Sequence, residues 1–238
     1  MGVNPRDAIL EKALQIAPFE GWTDTMLAQA TDEAGLPEGA DELYFPEGVL
    51  GLLDYWHRQT RDRLEAEIAA RGLANLRVRD RVREGVLTLF ELTEPYASAM
   101  RRALSRLALP DAGGRAARQT WEMADSIWAG IGDTSTDFNF YTKRAILSGV
   151  IASSLVAWLN DTSEDKAEAR AFLDRRLADA MRFETVKARA RKVRGAIPNP
   201  AEALGSLRYR VGYGLGSSDG LPGRFARVST KRRRRRSR

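Results

Sequence analysis

The sequence predicts an all-α protein, a bundle of about nine helices followed by a basic tail, and three observations carry that expectation. Up to about residue 194 the apolar residues recur three and four apart, which is the spacing of helices that bury one face. No alternating run of strand length competes with it. Beyond residue 194, breakers accumulate at Gly195, Pro198, Pro200, Gly205, Gly212, Gly214 and Gly216, a density that a packed helix does not tolerate.

Taken in order, the first helix is marked by Ile9, Leu10, Ala13, Leu14 and Ala17. A second helix and a short third one follow Gly21-Trp22 and are separated by Gly35-Leu36. Leu53, Trp56, Thr60, Leu64 and Ile68 form the stripe of a fourth helix, and Val78, Val82, Val86, Leu89 and Phe90 that of a fifth. The next stripes are Tyr96, Met100, Ala103, Leu104 and Leu107, then Ala117, Trp121, Ala124, Trp128 and Ile131. A long apolar helix spans Ile146 to Leu159, and a last one includes Phe172 to Met181. Pro37, Pro46 and Pro95 suit first-turn positions, while Gly72 and Gly113-Gly114 suit breaks. The expected division is 1–56, 57–194 and a flexible tail, 195–238. Within the tail only Ala201 to Val211 has the pattern of a short basic amphipathic segment suited to an anionic membrane surface.

Charge is split between these parts. Residues 195–238 hold 11 Lys/Arg and 2 Asp/Glu, a net of +9 against +6 for the whole chain, so the body is −3. Basicity therefore describes the tail and not the folded part. The absence of cysteine removes disulfides and thiolate metal sites and fits a reducing, cytoplasmic setting. The longest nearly apolar stretch, Ala145 to Leu159, falls short of the roughly 20 residues needed to span a bilayer. Peripheral contact with the inner face of the membrane stays open.

Residues 8–56 resemble the N-terminal helix-turn-helix module of TetR-type regulators through the Gly21-Trp22 pair, the Gly35-Leu36 turn, a short third helix and Tyr44-Phe45. The resemblance implies a TetR-like fold. In such regulators the third helix enters the major groove, where phosphate contacts need Lys, Arg or helix N-termini. From Thr31 to Leu50 this chain carries Asp32, Glu33, Glu38, Asp41, Glu42 and Glu47 and no Lys or Arg. A polyanion would be repelled there, and counterion release forfeited. The module reads as degenerate, and a ligand-responsive transcription factor becomes the alternative.

The segment Gly132-Asp-Thr-Ser-Thr-Asp-Phe-Asn-Phe-Tyr-Thr-Lys-Arg-Ala145 precedes the long apolar helix. Thr134 to Asp137 supplies oxygens able to cap that helix, and Asp137 suits its positive end. Capping does not require Phe138, Phe140 and Tyr141 together. These rings either anchor the core or form an apolar patch. By this "GDxSTDFNxYTxRA" block the chain resembles the Coq-nine family, accessory lipid-binding proteins of ubiquinone biosynthesis. Four other stretches support the resemblance: "ILxxAL" at Ile9 to Leu14, Gly21-Trp22, "RALSxLxLP" at Arg102 to Pro110 and "FLxxRxxDAM" at Phe172 to Met181.

The resemblance implies a homodimer with an internal pocket for an isoprenoid or quinone lipid, and a surface that docks the pathway's di-iron hydroxylase. The docking patch would comprise Ile127, Asp137, Phe140, Tyr141 and Arg144; position 140, often tryptophan in relatives, is phenylalanine here. An isoprenoid pocket needs apolar walls with room between them. Leu147, Val150, Ile151, Ser154 and Leu155 on the long helix, with Leu87, Phe90, Met100, Leu104, Trp121 and Trp128, would form it. Small residues permit close packing equally well, so the residues alone leave a cavity and a filled core both open. No cofactor is expected. The sole histidine, His57, lies at helical spacing from Asp54, its expected partner. The chain has no Glu-x-x-His, no Gly-x-Ser-x-Gly elbow and no phosphate-binding glycine loop. The sequence thus points to a non-enzymatic protein.

Overall fold

The structure, a computed structural model, describes residues 4–134 and 138–196. Asn4 accepts the Arg6 N–H at 3.1 Å, and Pro5 sits in the first turn of α1 (Pro5–Glu20). The Thr23 hydroxyl accepts from the Met26 N–H at 3.1 Å and so starts α2 (Asp24–Glu33). The third helix, α3, is only Ala40–Tyr44. At the start of α4 (Gly48–Arg71), Asp24 Oδ1 accepts the Val49 N–H at 2.8 Å. Gly48 has a φ of +58°, and a Cβ there would stand 2.4 Å from that same oxygen. Glycine is needed on both counts.

Gly72 ends α4 in the left-handed region, as the sequence suggested. Then come α5 (Val78–Thr93), α6 (Ala97–Leu107), α7 (Arg115–Gly130), α8 (Phe138–Asn160) and α9 (Ala167–Ala196). Short 3₁₀ turns join several of them, and Pro95 lies in the first turn of one. Pro37 and Pro46 instead stand in the turns just ahead of α3 and α4. Among the described residues there is no strand. The proposed cap at Asp137 and the amphipathic segment Ala201 to Val211 lie outside the described residues.

The chain divides into a compact unit ending at Thr185 and a second from Val186 on; the packing that follows is that of the first. Its buried residues form two clusters. One gathers α1, α2, the first half of α4 and α6, with Trp22 stacked on Trp56 at 5.4 Å and donating to the Ala99 carbonyl at 2.9 Å. The other gathers the second half of α4 with α5, α7, α8 and α9. Continuous through residue 56, α4 serves both. In the second cluster α5 is buried on every side from Gly85 to Phe90. A Cβ on Gly85 would meet Ile127 Cγ2 at 2.7 Å, so this glycine sets how closely α5 and α7 approach.

Candidate functional site

The site is organised by α8, a helix of 23 residues in which only Lys143 and Arg144 carry charge. So apolar a helix must bury more than one face. On one side Ile151 and Leu155 join Leu53 and Trp56 of α4, Met100 and Leu104 of α6 and Met123 of α7 around a cavity of about 100 Å³. It sits at the seam between the two core clusters. On another side Ile146, Leu147 and Val150 form one wall of a groove of about 390 Å³. Val78 and Val82 of α5, Trp128 of α7, and Leu177 and Ala180 of α9 close it, with Arg79 and Lys143 at its edge.

The expected single pocket is thus two concavities. Met100, Leu104, Ile151 and Leu155 line the cavity, and Trp128, Leu147 and Val150 line the groove. The other predicted walls belong elsewhere. Leu87 and Phe90 are fully buried core residues of α5, Phe90 packing on Trp158 with centroids 5.4 Å apart. Ser154 is buried, lines neither concavity and has no partner for its hydroxyl. Trp121 is half-buried beside Tyr141. The reason is that α7 packs against α4, α5, α6 and α8 together. Its inward face is Met123, Ala124 and Ile127, and the two tryptophans are displaced to the edges.

The cavity's polar edge corrects a second expectation. His57 is buried, and its Nε2 faces Glu122 Oε2 of α7 at 2.8 Å rather than Asp54. Burial pushes its pKa below the ordinary value, outweighing the hydrogen bond and charge of Glu122 that favour protonation. Asp54 accepts instead from Gln119 at 2.8 Å, Arg118 at 2.8 Å and Arg115 at 3.2 Å. Burial works against its charge, yet these donors hold the carboxyl below its usual value. Nothing local in the sequence signals the pairing of His57 with a residue 65 positions away.

The predicted docking residues separate in the same way. Tyr141 is 62% exposed, with Phe140 edge-on at 5.2 Å and Trp121 at 6.4 Å, an aromatic patch on the surface. Ile127, by contrast, is fully buried against Gly85, and Arg144 is only 3% exposed, so neither belongs to a surface. The Arg144 guanidinium stacks 3.4 Å from the Phe140 ring centroid. It pairs with Asp125 and, at 3.4 Å, with Asp133, and donates to the Phe140 carbonyl at 3.2 Å. Its role is to hold the base of the patch. Asp137 lies outside the described residues.

At the N-terminal module, Asp32, Glu33, Glu38, Glu42 and Glu47 are exposed and Asp41 is half-buried. The face that α3 offers is acidic. Among the described residues no group of three or more His, Asp or Glu is placed to hold a metal ion, and no helix is long and apolar enough to cross a membrane.

Comparison with known proteins follows the same division. Residues 114–184, the stretch covering α7, α8 and the beginning of α9, match the COQ9 family model. The chain is 33% identical over 179 residues to the mitochondrial ubiquinone biosynthesis protein COQ9 of Rattus norvegicus, covering 73% of this chain and 57% of that protein. It is 32% identical over 180 residues to the same protein of Homo sapiens, covering 73% and 56%. The chain therefore spans little more than half the length of these relatives. A crystal structure of a TetR transcriptional regulator from Nitrosomonas europaea matches with a TM-score of 0.56 at 20% identity, over 74% of this chain and 97% of that one. The fold is TetR-like.

Proposed function

This chain is a relative of the COQ9 proteins of ubiquinone biosynthesis and carries the family's segment at residues 114–184, and on that premise we propose that it serves the same pathway as a lipid-binding accessory protein. In this reading the chain takes up an isoprenoid precursor, too apolar to diffuse freely in water, and presents its polar head to a docked di-iron hydroxylase. Its own contribution is binding and delivery, with the chemistry left to the partner. The homodimer implied by the resemblance is part of the same proposal.

The observation that carries the reading is the apolar groove of about 390 Å³ between α5, α8 and α9. That volume lies in the range of about 300–1,000 Å³ typical of small-molecule sites. A few polar groups beside apolar walls, here Arg79 and Lys143, are what such a site uses to fix orientation. The exposed ring of Tyr141 and the half-buried ring of Phe140, in the first turn of α8, suit the protein-docking half of the proposal, since aromatic residues dominate the energetic centres of interfaces.

The acidic α3 weighs against the transcription-factor alternative. Val150→Trp, which fills the groove from α8, tests the lipid assignment by extraction of lipid from the purified chain. The variant is expected to retain far less isoprenoid than the parent. Equal recovery would remove the groove from the proposal.

A further inference from the structure

One stretch of the folded body departs from its acidic balance. From Arg71 to Arg83 the chain holds five arginines and one aspartate, a net of +4 in a body whose net charge is −3. The stretch joins α4 to α5 through the 3₁₀ turn Leu73–Asn75. Three of its arginines are committed nearby. Arg71 pairs with Glu91 at 2.9 Å, Arg83 with Asp174 at 2.7 Å and Glu84 at 3.0 Å, and Arg81 donates to the carbonyls of Leu76, at 2.7 Å, and Ala74. The bonds of Arg81 pin the connection in place. Arg77 and Arg79 are exposed. Arg77 meets Asp80 at 2.9 Å, and among the described residues Arg79 is held only by the Asp174 carbonyl, at 3.4 Å.

Alternating with these two arginines are Leu76, 40% exposed, and Val78, 53% exposed. Apolar side chains set among cations suit the level at which headgroups meet acyl chains, where apolar burial and attraction to anionic lipid add together. Position argues the same way, because Val78 and Arg79 are also the rim of the apolar groove between α5, α8 and α9. A polyprenyl chain that passes from a bilayer into that groove avoids water only if the rim itself touches the lipid. A nucleic acid would engage the arginines and leave Leu76 and Val78 in water.

We propose that the connection between α4 and α5, Leu76 to Arg79, rests on an anionic lipid surface. Leu76 and Val78 enter the acyl boundary, Arg77 and Arg79 meet the headgroup phosphates, and the groove opens onto the bilayer. The contact belongs to the folded body and does not call on the basic tail. It rests on the reading that the groove takes up a lipid, and it adds where that lipid enters.

The chain has no cysteine, so Leu76→Cys carries a single environment-sensitive fluorophore on this edge, and Ala28→Cys, exposed on α2, carries the control. The full chain is mixed with vesicles of phosphatidylcholine alone, or of phosphatidylcholine and phosphatidylglycerol in equal parts. The label at residue 76 is expected to shift to the blue with the mixed vesicles only, while the label at residue 28 stays unmoved. Arg77→Gln should raise the lipid needed for a half-maximal shift about fivefold, the factor one arginine contributes near an anionic surface. Val78→Asp, which keeps an acidic residue suited to the first turn of α5, should abolish the shift. A chain that sediments with the mixed vesicles while the label at residue 76 stays in water overturns the proposal. So does a label moved by duplex DNA and not by vesicles, or a shift indifferent to both variants. Isoprenoid lipid recovered with a chain whose edge never leaves water overturns this inference alone. Insertion of the edge by a chain that never carries lipid upholds the surface and overturns the delivery role instead.

Discussion

Ile127 and Tyr141 show how far residue identity carries and where it stops. Both were expected on one docking patch because the resemblance to the family carried that patch onto these positions. Helix orientation separates them, since Ile127 points into α5 while Tyr141 stands outside. Ile127→Ala is therefore expected to lower stability by about 2–5 kcal/mol through loss of packing and an unfilled cavity. Tyr141→Ala should leave thermal melting nearly unchanged and weaken association with the proposed hydroxylase partner. Calorimetry and a pull-down separate the two, and the opposite pattern would return Ile127 to the surface. His57 makes the same point for polar groups: its neighbour in sequence, Asp54, was legible, but its true partner depends on how α4 meets α7. The folded pKa of His57 is depressed, so the unfolded chain binds the proton more readily. Stability is then full above the unfolded value of 6.5 and declines as pH falls below it. Denaturant melts from pH 8 to 5 should show that decline, and His57→Gln should flatten it.

At the scale of elements, most helices were readable because each buries one periodic stripe. All five expected stripe residues of α4 are buried. The stripe of α7 was misplaced because that helix is contacted by four others, and a broad interface blurs a single period. The walls contributed by α5 and α9, Val78, Val82, Leu177 and Ala180, were missed because they become a surface only when the helices are assembled. The reading of α3 was direct, since charge needs no packing to be interpreted. The exposed carboxylates of Glu42 on α3 and of Asp32, Glu33, Glu38 and Glu47 around it predict no sequence-specific retardation of duplex DNA at physiological salt. Any retardation should be non-specific and vanish when residues 195–238 are removed. A specific shift that survives that deletion would revive the regulator alternative.

The whole molecule couples two core clusters through one long helix, α4, and places a cavity at their seam and a groove beyond α8. The body is TetR-like and its third helix carries acidic residues. That architecture was foreseeable from sequence, but the division of its interior was not. Side-chain volume decides which parts of a helical interior are filled, and periodicity does not report it. The proposed function requires this frame to carry an isoprenoid lipid. Native mass spectrometry of the full chain, purified from a host that makes ubiquinone, tests it most directly. A population heavier than the bare protein by the mass of a polyprenylated ring is expected; protein that is always free of lipid would contradict the proposed lipid-carrying role.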